Sequence, residues 1–107
     1  MYNHIVYALV NREDNSAYIG VTNNFAKRLL EHRNKLNNTA HECMELQLAW
    51  VVFGANKFYT IELAYCSYEM RRTVESYCIA EWPGRIYNNY NSQSGMAERV
   101  YRQLKDL

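Results

Sequence analysis

Proline occurs once and glycine four times in 107 residues. A chain this poor in both is neither collagen-like nor a Pro/Gly-rich disordered segment, and 49% hydrophobic with 21% charged residues is an ordinary globular composition. Long apolar runs are missing too. The longest, around Leu48 to Phe53, is far too short to cross a bilayer, and no basic-then-apolar leader opens the chain, so no membrane partner and an intracellular, cytoplasmic location are expected. Cysteine is scarce: Cys43, Cys66 and Cys78 are odd in number and lack paired short spacing, which argues against a disulfide framework or a zinc ribbon. Three free thiols, mostly buried, are expected. Charge imbalance is nearly absent as well. A net charge of +1 would not by itself suggest nucleic acid, because non-specific affinity comes from many Lys and Arg side chains neutralising phosphates.

What is present is more pointed. Lys27, Arg28, Arg33 and Lys35 cluster in one segment, and Arg71 with Arg72 in another. Lys27 and Lys35 read as a solvated helix face. The length suits one domain, residues 1–107, with a modest core.

His4 to Val10 alternates weakly and is rich in strand formers, and Asn-Arg-Glu-Asp-Asn-Ser supplies turn chemistry before Ala17 to Val21, which predicts a hairpin. A four-residue loop from Asn11 to Asp14 would set Tyr7 opposite Tyr18, both on one face; a one-residue slip would separate them. Asn23 is a candidate N-cap for a helix over 24–37, whose apolar stripe is Phe25, Leu29 and Leu36. Arg28 and His32, one turn apart, fall at the border of that stripe and can share one ligand. Glu42 to Phe53 is apolar nearly all round, which predicts a buried second helix ended by Gly54. Lys57 to Tyr65 reads as a third strand, and Ser67 as the cap of a third helix running to Trp82, stopped by Pro83-Gly84. The asparagine-rich stretch from Asn88 to Gly95 reads as loop, and Met96 to Leu107 as a short terminal helix. The fold class is α+β: a small, mostly antiparallel three-stranded sheet flanked by helices, with a short C-terminal helix.

Glu75 shares its helical face with Ile79 and Trp82, so a carboxylate sits within an apolar stripe and needs a partner. Arg71, one turn earlier, would make a common i,i+4 ion pair. The sharper alternative is a divalent cation, since Mg²⁺ often takes one or two carboxylates and completes its shell with phosphate and water.

Taken in order, Ile5-Val6-Tyr7, Tyr18-Ile19-Gly20, Arg28 with His32 and then His41, the segment around Phe53-Gly54 and Phe58, Glu75, and a Tyr-Asn pair before Gly95 resemble the GIY-YIG nuclease superfamily, particularly the catalytic modules of phage homing endonucleases. The resemblance spans roughly Ile5 to Gly95. Ile5 stands where the family's first motif begins with glycine, and Val6 where it has isoleucine. Asn88 and Asn91 both follow a tyrosine, and the spacing to Gly95 favours Asn91.

The resemblance implies metal-dependent hydrolysis of a phosphodiester in DNA. Tyr7 would deprotonate the attacking water, Tyr18 would position water or phosphate, and Arg28 would stabilise charge on the non-bridging oxygens. His32 would assist Tyr7 or bind phosphate, and His41 would do either. Glu75 would hold the metal, Mg²⁺ or Mn²⁺ in its place, and Asn91 would have a structural or phosphate-contacting part. One site cuts one strand per encounter, so a double cut needs a homodimer or a second binding event, and specificity a separate partner or the C-terminal segment. The competing readings are a non-catalytic nucleic-acid-binding module that keeps the fold, and a regulatory interaction domain consistent with the near-neutral charge. Most of the ten tyrosines, Tyr2, Tyr59, Tyr65, Tyr77 and Tyr101 among them, read as packing residues.

Overall fold

The hairpin loop decides which residues face one another across the sheet. In a computed structural model of the chain, which describes residues 2–88, Asn11 N–H donates to the Ser16 carbonyl at 2.8 Å, so the four-residue loop runs from Arg12 to Asn15. Its side chains lock it: Asn11 Oδ1 accepts the Glu13 N–H at 2.9 Å and Asp14 Oδ1 accepts the Ser16 N–H at 3.0 Å. Asn15 closes the turn at φ 62, a left-handed conformation that asparagine tolerates better than most residues. The loop therefore lies one residue later than expected and the pairing moves by two: Tyr7 faces Gly20, and Tyr18 faces Leu9. A shift of two preserves parity, so the tyrosines still share a face as diagonal neighbours.

The hairpin joins β1 (His4–Asn11) to β2 (Ala17–Thr22); α1 (Phe25–Asn37), α2 (Met44–Phe53), a 3₁₀ turn over Ala55–Lys57, β3 (Phe58–Cys66) and α3 (Arg71–Glu81) follow. The sheet order is β2-β1-β3, antiparallel throughout, which is the α+β arrangement expected. Central β1 is buried on both faces, and this explains its near-continuous apolar run. Val6, Ala8 and Val10 pack with Ala17, Ile19 and Cys66 beneath Val74, Cys78 and Ile79 of α3 and Trp82 just after it. Tyr7 and Leu9 point the other way, into Leu36 of α1 and Leu46 and Ala49 of α2, with Phe25, Leu29 and Trp50 around them.

Several local expectations are corrected. Asn24, not Asn23, caps α1, its Oδ1 accepting the Lys27 N–H at 3.2 Å. The second helix begins at Met44 rather than Glu42 and is not buried all round. Leu46, Gln47 and Ala49 face inward, while Val51 and Val52 are 57% and 60% exposed because only one side of the helix meets the core. Ser67 opens a turn, accepting the Met70 N–H at 3.3 Å, and α3 starts at Arg71. Tyr2, Tyr65 and Tyr77 lie largely in solvent instead of packing. The three cysteines are free as expected, with Cys66 buried and Cys43 and Cys78 half-buried.

Beyond Pro83-Gly84 the chain runs parallel to the outer edge of β2. Ala17 N–H donates to the Arg85 carbonyl at 2.9 Å and Tyr87 N–H to the Ala17 carbonyl at 2.7 Å. Asn88 then uses its side chain as a substitute peptide group: Oδ1 accepts the Ile19 N–H at 2.8 Å and Nδ2 donates to the Ile19 carbonyl at 2.6 Å. Asn91, the rest of the asparagine-rich stretch and the terminal helix over Met96 to Leu107 lie outside the described residues.

Replacing Asn88 removes both bonds from a half-buried strand edge. Asn88→Ala is expected to cost about 1–3 kcal/mol of stability and to accelerate amide hydrogen exchange at Ile19. Unchanged Ile19 exchange would show that the edge is held by other means.

Candidate active site

Tyr7 owes its position to a residue without a side chain. A Cβ built on Gly20, the residue directly across from it, would stand 2.5 Å from the Tyr7 hydroxyl oxygen and 2.8 Å from Cζ, so the phenol lies across the space that a side chain on β2 would fill. On its other flank the ladder to β3 slips between Val6 and Tyr7, leaving Leu63 as an extra residue. Such a bulge re-aims a neighbouring side chain. Phe25 of α1 tilts against the Tyr7 ring, with centroids 5.5 Å apart.

His32 reaches the phenol from α1, Nε2 lying 2.7 Å from the Tyr7 oxygen, and its Nδ1 lies 2.8 Å from Nε2 of His41. The two imidazoles stack at 5.0 Å, and Tyr18 presents its ring to both at 5.3 and 5.7 Å. His32 was expected at the border of α1 and is instead buried, because that flank of the helix turns toward the sheet; His41, from the segment between α1 and α2, is buried as well. Burial first, then the nearby Arg28 charge, lowers His32 to about 3; burial lowers His41 to about 4, with the Glu42 carboxylate opposing it. Both rings are therefore neutral near pH 7, and each carries one N–H.

That single proton has a fixed place. Cys43 N–H donates to His41 Nδ1 at 3.0 Å, so Nδ1 is an acceptor and the His41 proton sits on Nε2. His41 Nε2–H then donates to His32 Nδ1, and His32 Nε2–H donates to the Tyr7 oxygen. The Glu42 carboxylate is 3.8 Å from His41 Nδ1, too far to compete, and it pairs with Lys35.

Arg28, one turn before His32, also bonds to the Tyr7 phenol. Burial alone would lower its guanidinium; the Tyr7 and Tyr18 phenols and Glu31 outweigh that and push it up. Arg28 and His32 thus both meet the Tyr7 hydroxyl. Tyr18 and Arg28 are half-buried and form the outer surface of the cluster, with Tyr7 behind them at 1% exposure. A separate cleft of about 560 Å³ opens between α1, α2 and β3, lined by Leu30, Trp50, Phe58 and Tyr59. It touches the cluster through His32, and Arg33, Asn37 and Thr60 also line it.

Glu75 stands on a different element. It follows Val74 on α3, the helix over the opposite face of the sheet, and its side chain is 13% exposed with Arg72 Nη1 at 3.5 Å. Its ion-pair partner is Arg72 rather than the expected Arg71, whose guanidinium stacks on the Tyr68 ring at 3.6 Å and donates to the Tyr68 carbonyl. Among the described residues, no three His, Cys, Asp or Glu side chains converge to hold a metal ion.

Five of the seven residues expected at the site, Tyr7, Tyr18, Arg28, His32 and His41, thus come together. Residues 3–91 match the profile of the GIY-YIG catalytic domain. The chain belongs to the GIY-YIG family. It is an endonuclease by that membership. The fold is shared with the solved structure of the catalytic domain of homing endonuclease I-TevI, at a TM-score of 0.72 and 22% identity, over 80% of this chain and 99% of that one. No curated protein matches the chain in sequence. The isoleucine in place of the first GIY-YIG glycine is an ordinary strand residue here, paired with Thr22 and packed at the margin of the Tyr7 cluster. Sequence reasoning missed Gln47 and the Cys43 amide, and gave Gly20 no steric role.

Two outcomes are expected. Gly20→Ala should displace the Tyr7 phenol, cost about 1–3 kcal/mol and abolish cleavage while circular dichroism keeps the native signature; full activity would disprove the steric role. The second concerns acid. An unfolded histidine titrates near 6.5 and these two titrate lower when folded, so their neutral burial contributes stability above that pH and loses it as pH falls toward 4 and 3. Melting temperature should therefore drop between pH 6.5 and 4, and drop less in His32→Gln/His41→Gln.

Proposed function

We propose that the chain is a metal-dependent DNA endonuclease that hydrolyses one phosphodiester bond per encounter, leaving a nick. The observation that carries this reading is the convergence on a single phenol oxygen of a guanidinium and a neutral imidazole N–H. Tyrosine is a poor base near its ordinary value of about 10, and hydrogen bonds donated to its ionised form favour that form. Substrate meets Arg28 and Tyr18 first. A phosphate drawn to Arg28 competes with its bond to Tyr7 and frees a lone pair of the phenolate for water.

Tyr7 then takes a proton from that water as its oxygen bonds to phosphorus and the bond to the leaving oxygen breaks. Arg28 stabilises the charge on the non-bridging oxygens, and Tyr18 orients the phosphate. His32 stays neutral throughout and keeps a donor on the phenol oxygen.

Nucleases of this family generally use divalent metals. The donor set here admits one. Glu75 is a single hard oxygen ligand in a mostly shielded place, and Mg²⁺ accepts one carboxylate when phosphate and water supply the rest. When bound, such an ion supplies Lewis acidity at the phosphoryl group and the leaving oxygen. A double-strand cut requires a second copy or a second encounter.

Supercoiled plasmid provides the test. Wild-type protein is expected to nick it with Mg²⁺ and not with EDTA. Tyr7→Phe should lose about 10²–10⁴-fold in rate, the range for a general base. Glu75→Ala should lose nicking while still shifting DNA in a gel. Equal nicking by all three proteins would refute the assignment.

A further inference from the structure

Gln47 is a fully buried polar side chain, 1% exposed, on the inward face of α2. Both ends of its amide are engaged: Oε1 accepts the His41 N–H at 3.1 Å, and Nε2 donates to the Leu36 carbonyl at 3.0 Å. Leu36 lies one turn beyond His32 on α1. One side chain therefore ties the backbone that carries His41 to the helix that carries His32. Two residues after His41, the Cys43 N–H occupies His41 Nδ1.

A chain of neutral imidazoles can point either way. With the proton on His41 Nε2, each ring donates toward the sheet and Tyr7 receives an N–H. With the proton on His41 Nδ1, every bond reverses: His32 donates to His41, and His32 Nε2 accepts the Tyr7 O–H. The heavy-atom distances are the same in both arrangements, but the first favours a phenolate and the second holds a phenol. Glu42, 3.8 Å from Nδ1, would draw the proton to the wrong nitrogen if the Cys43 amide moved away. We propose that Gln47 is a positioning residue: by clamping the 41–43 backbone to α1 it keeps the Cys43 N–H on His41 and so fixes the polarity of the His41–His32–Tyr7 chain. This rests on the reading of Tyr7 as the base. The charged and titratable groups facing the chain are Arg28 and Lys35 from α1, Glu42 beside His41, and Tyr18 from β2.

Imidazole nitrogen NMR on the ¹⁵N-labelled full chain reads the polarity directly, without reference to cleavage. Wild-type His32 and His41 are expected in the Nε2–H form at pH 7. In Gln47→Met, which keeps the volume but not the amide, His41 should show both tautomers. Its kcat on plasmid should fall about tenfold or more with little change in KM, as expected when a supporting group is lost. The acid limb of its pH–rate profile should move up by about half a unit or more, because the donor on the phenolate is no longer constant. Gln47→Glu retains the acceptor for His41 N–H and should recover part of the loss. An Nδ1–H form of His41 in the wild type would overturn the proposal, even if Gln47→Met fails to fold. So would wild-type tautomers and pH profile in Gln47→Met. A wild type with the expected tautomers but no cleavage would instead overturn the reading of the site as a nuclease.

Discussion

Tyr7 has to lie across the neighbouring strand, and this space requirement organises the rest of the site. Any side chain on β2 at that point would strike the phenol, so the residue opposite must be glycine. Which residue is opposite depends on the hairpin loop, and the loop depends on Asn15 taking a left-handed conformation while Asn11 and Asp14 cap its backbone. A loop one residue earlier would set Tyr18 against Tyr7 and put two aromatic rings in contention for one place. Turn chemistry four residues along the strand, about 14 Å at about 3.4 Å per residue, thus sets the geometry of the Tyr7 phenol oxygen.

The same face carries an unusual load of buried polarity. His32, His41 and Gln47 are shielded almost completely, and each finds hydrogen-bond partners within the network. Shielding keeps the imidazoles uncharged, since a buried charge without a counter-ion is costly. Uncharged rings serve as directional connectors: they pass hydrogen-bond polarity from a backbone amide at the start of α2 to a phenol at the centre of the sheet. Low local dielectric strengthens such a chain, and leaving it half-satisfied would be correspondingly destabilising.

The sheet divides labour between its faces. Val6, Ala8 and Val10 meet the apolar side of α3 and supply a dry core, while Tyr7 presents chemistry to α1. Arg28 and Tyr18 remain partly exposed where a phosphate can reach them. The second-half carboxylate, Glu75, sits on α3, mostly shielded beside Arg72. The edge of β2, otherwise open to a foreign strand, is covered by the chain itself through Arg85 to Asn88.

Much of this was legible in the residues. Strand formers around Tyr7 and Tyr18, the Asn-rich turn between them, the stripe of Phe25, Leu29 and Leu36, and Pro83-Gly84 specify strands, hairpin and helices, because these signals act over a few neighbouring residues. The ordered motif set identified the family and named the five residues that converge. The exact pairing of Tyr7 was not legible, since Asn11 to Asp14 and Arg12 to Asn15 are both acceptable loops and the difference lies in cooperative bonding to Ser16. Nor was the exposed flank of α2, because an all-round apolar helix gives no sign of how far it extends past its core. Glu75 could pair at three or four residues' distance with equal ease, and packing of Arg71 on Tyr68 settled it. Composition and local pattern, then, determined the elements and the candidate residues, for these follow from backbone preference and side-chain type. Only the tertiary structure decided that His41 Nδ1 meets the Cys43 amide, that Gln47 spans two elements and that Gly20 makes room for Tyr7, because those contacts join residues that adjacency in the chain does not bring together.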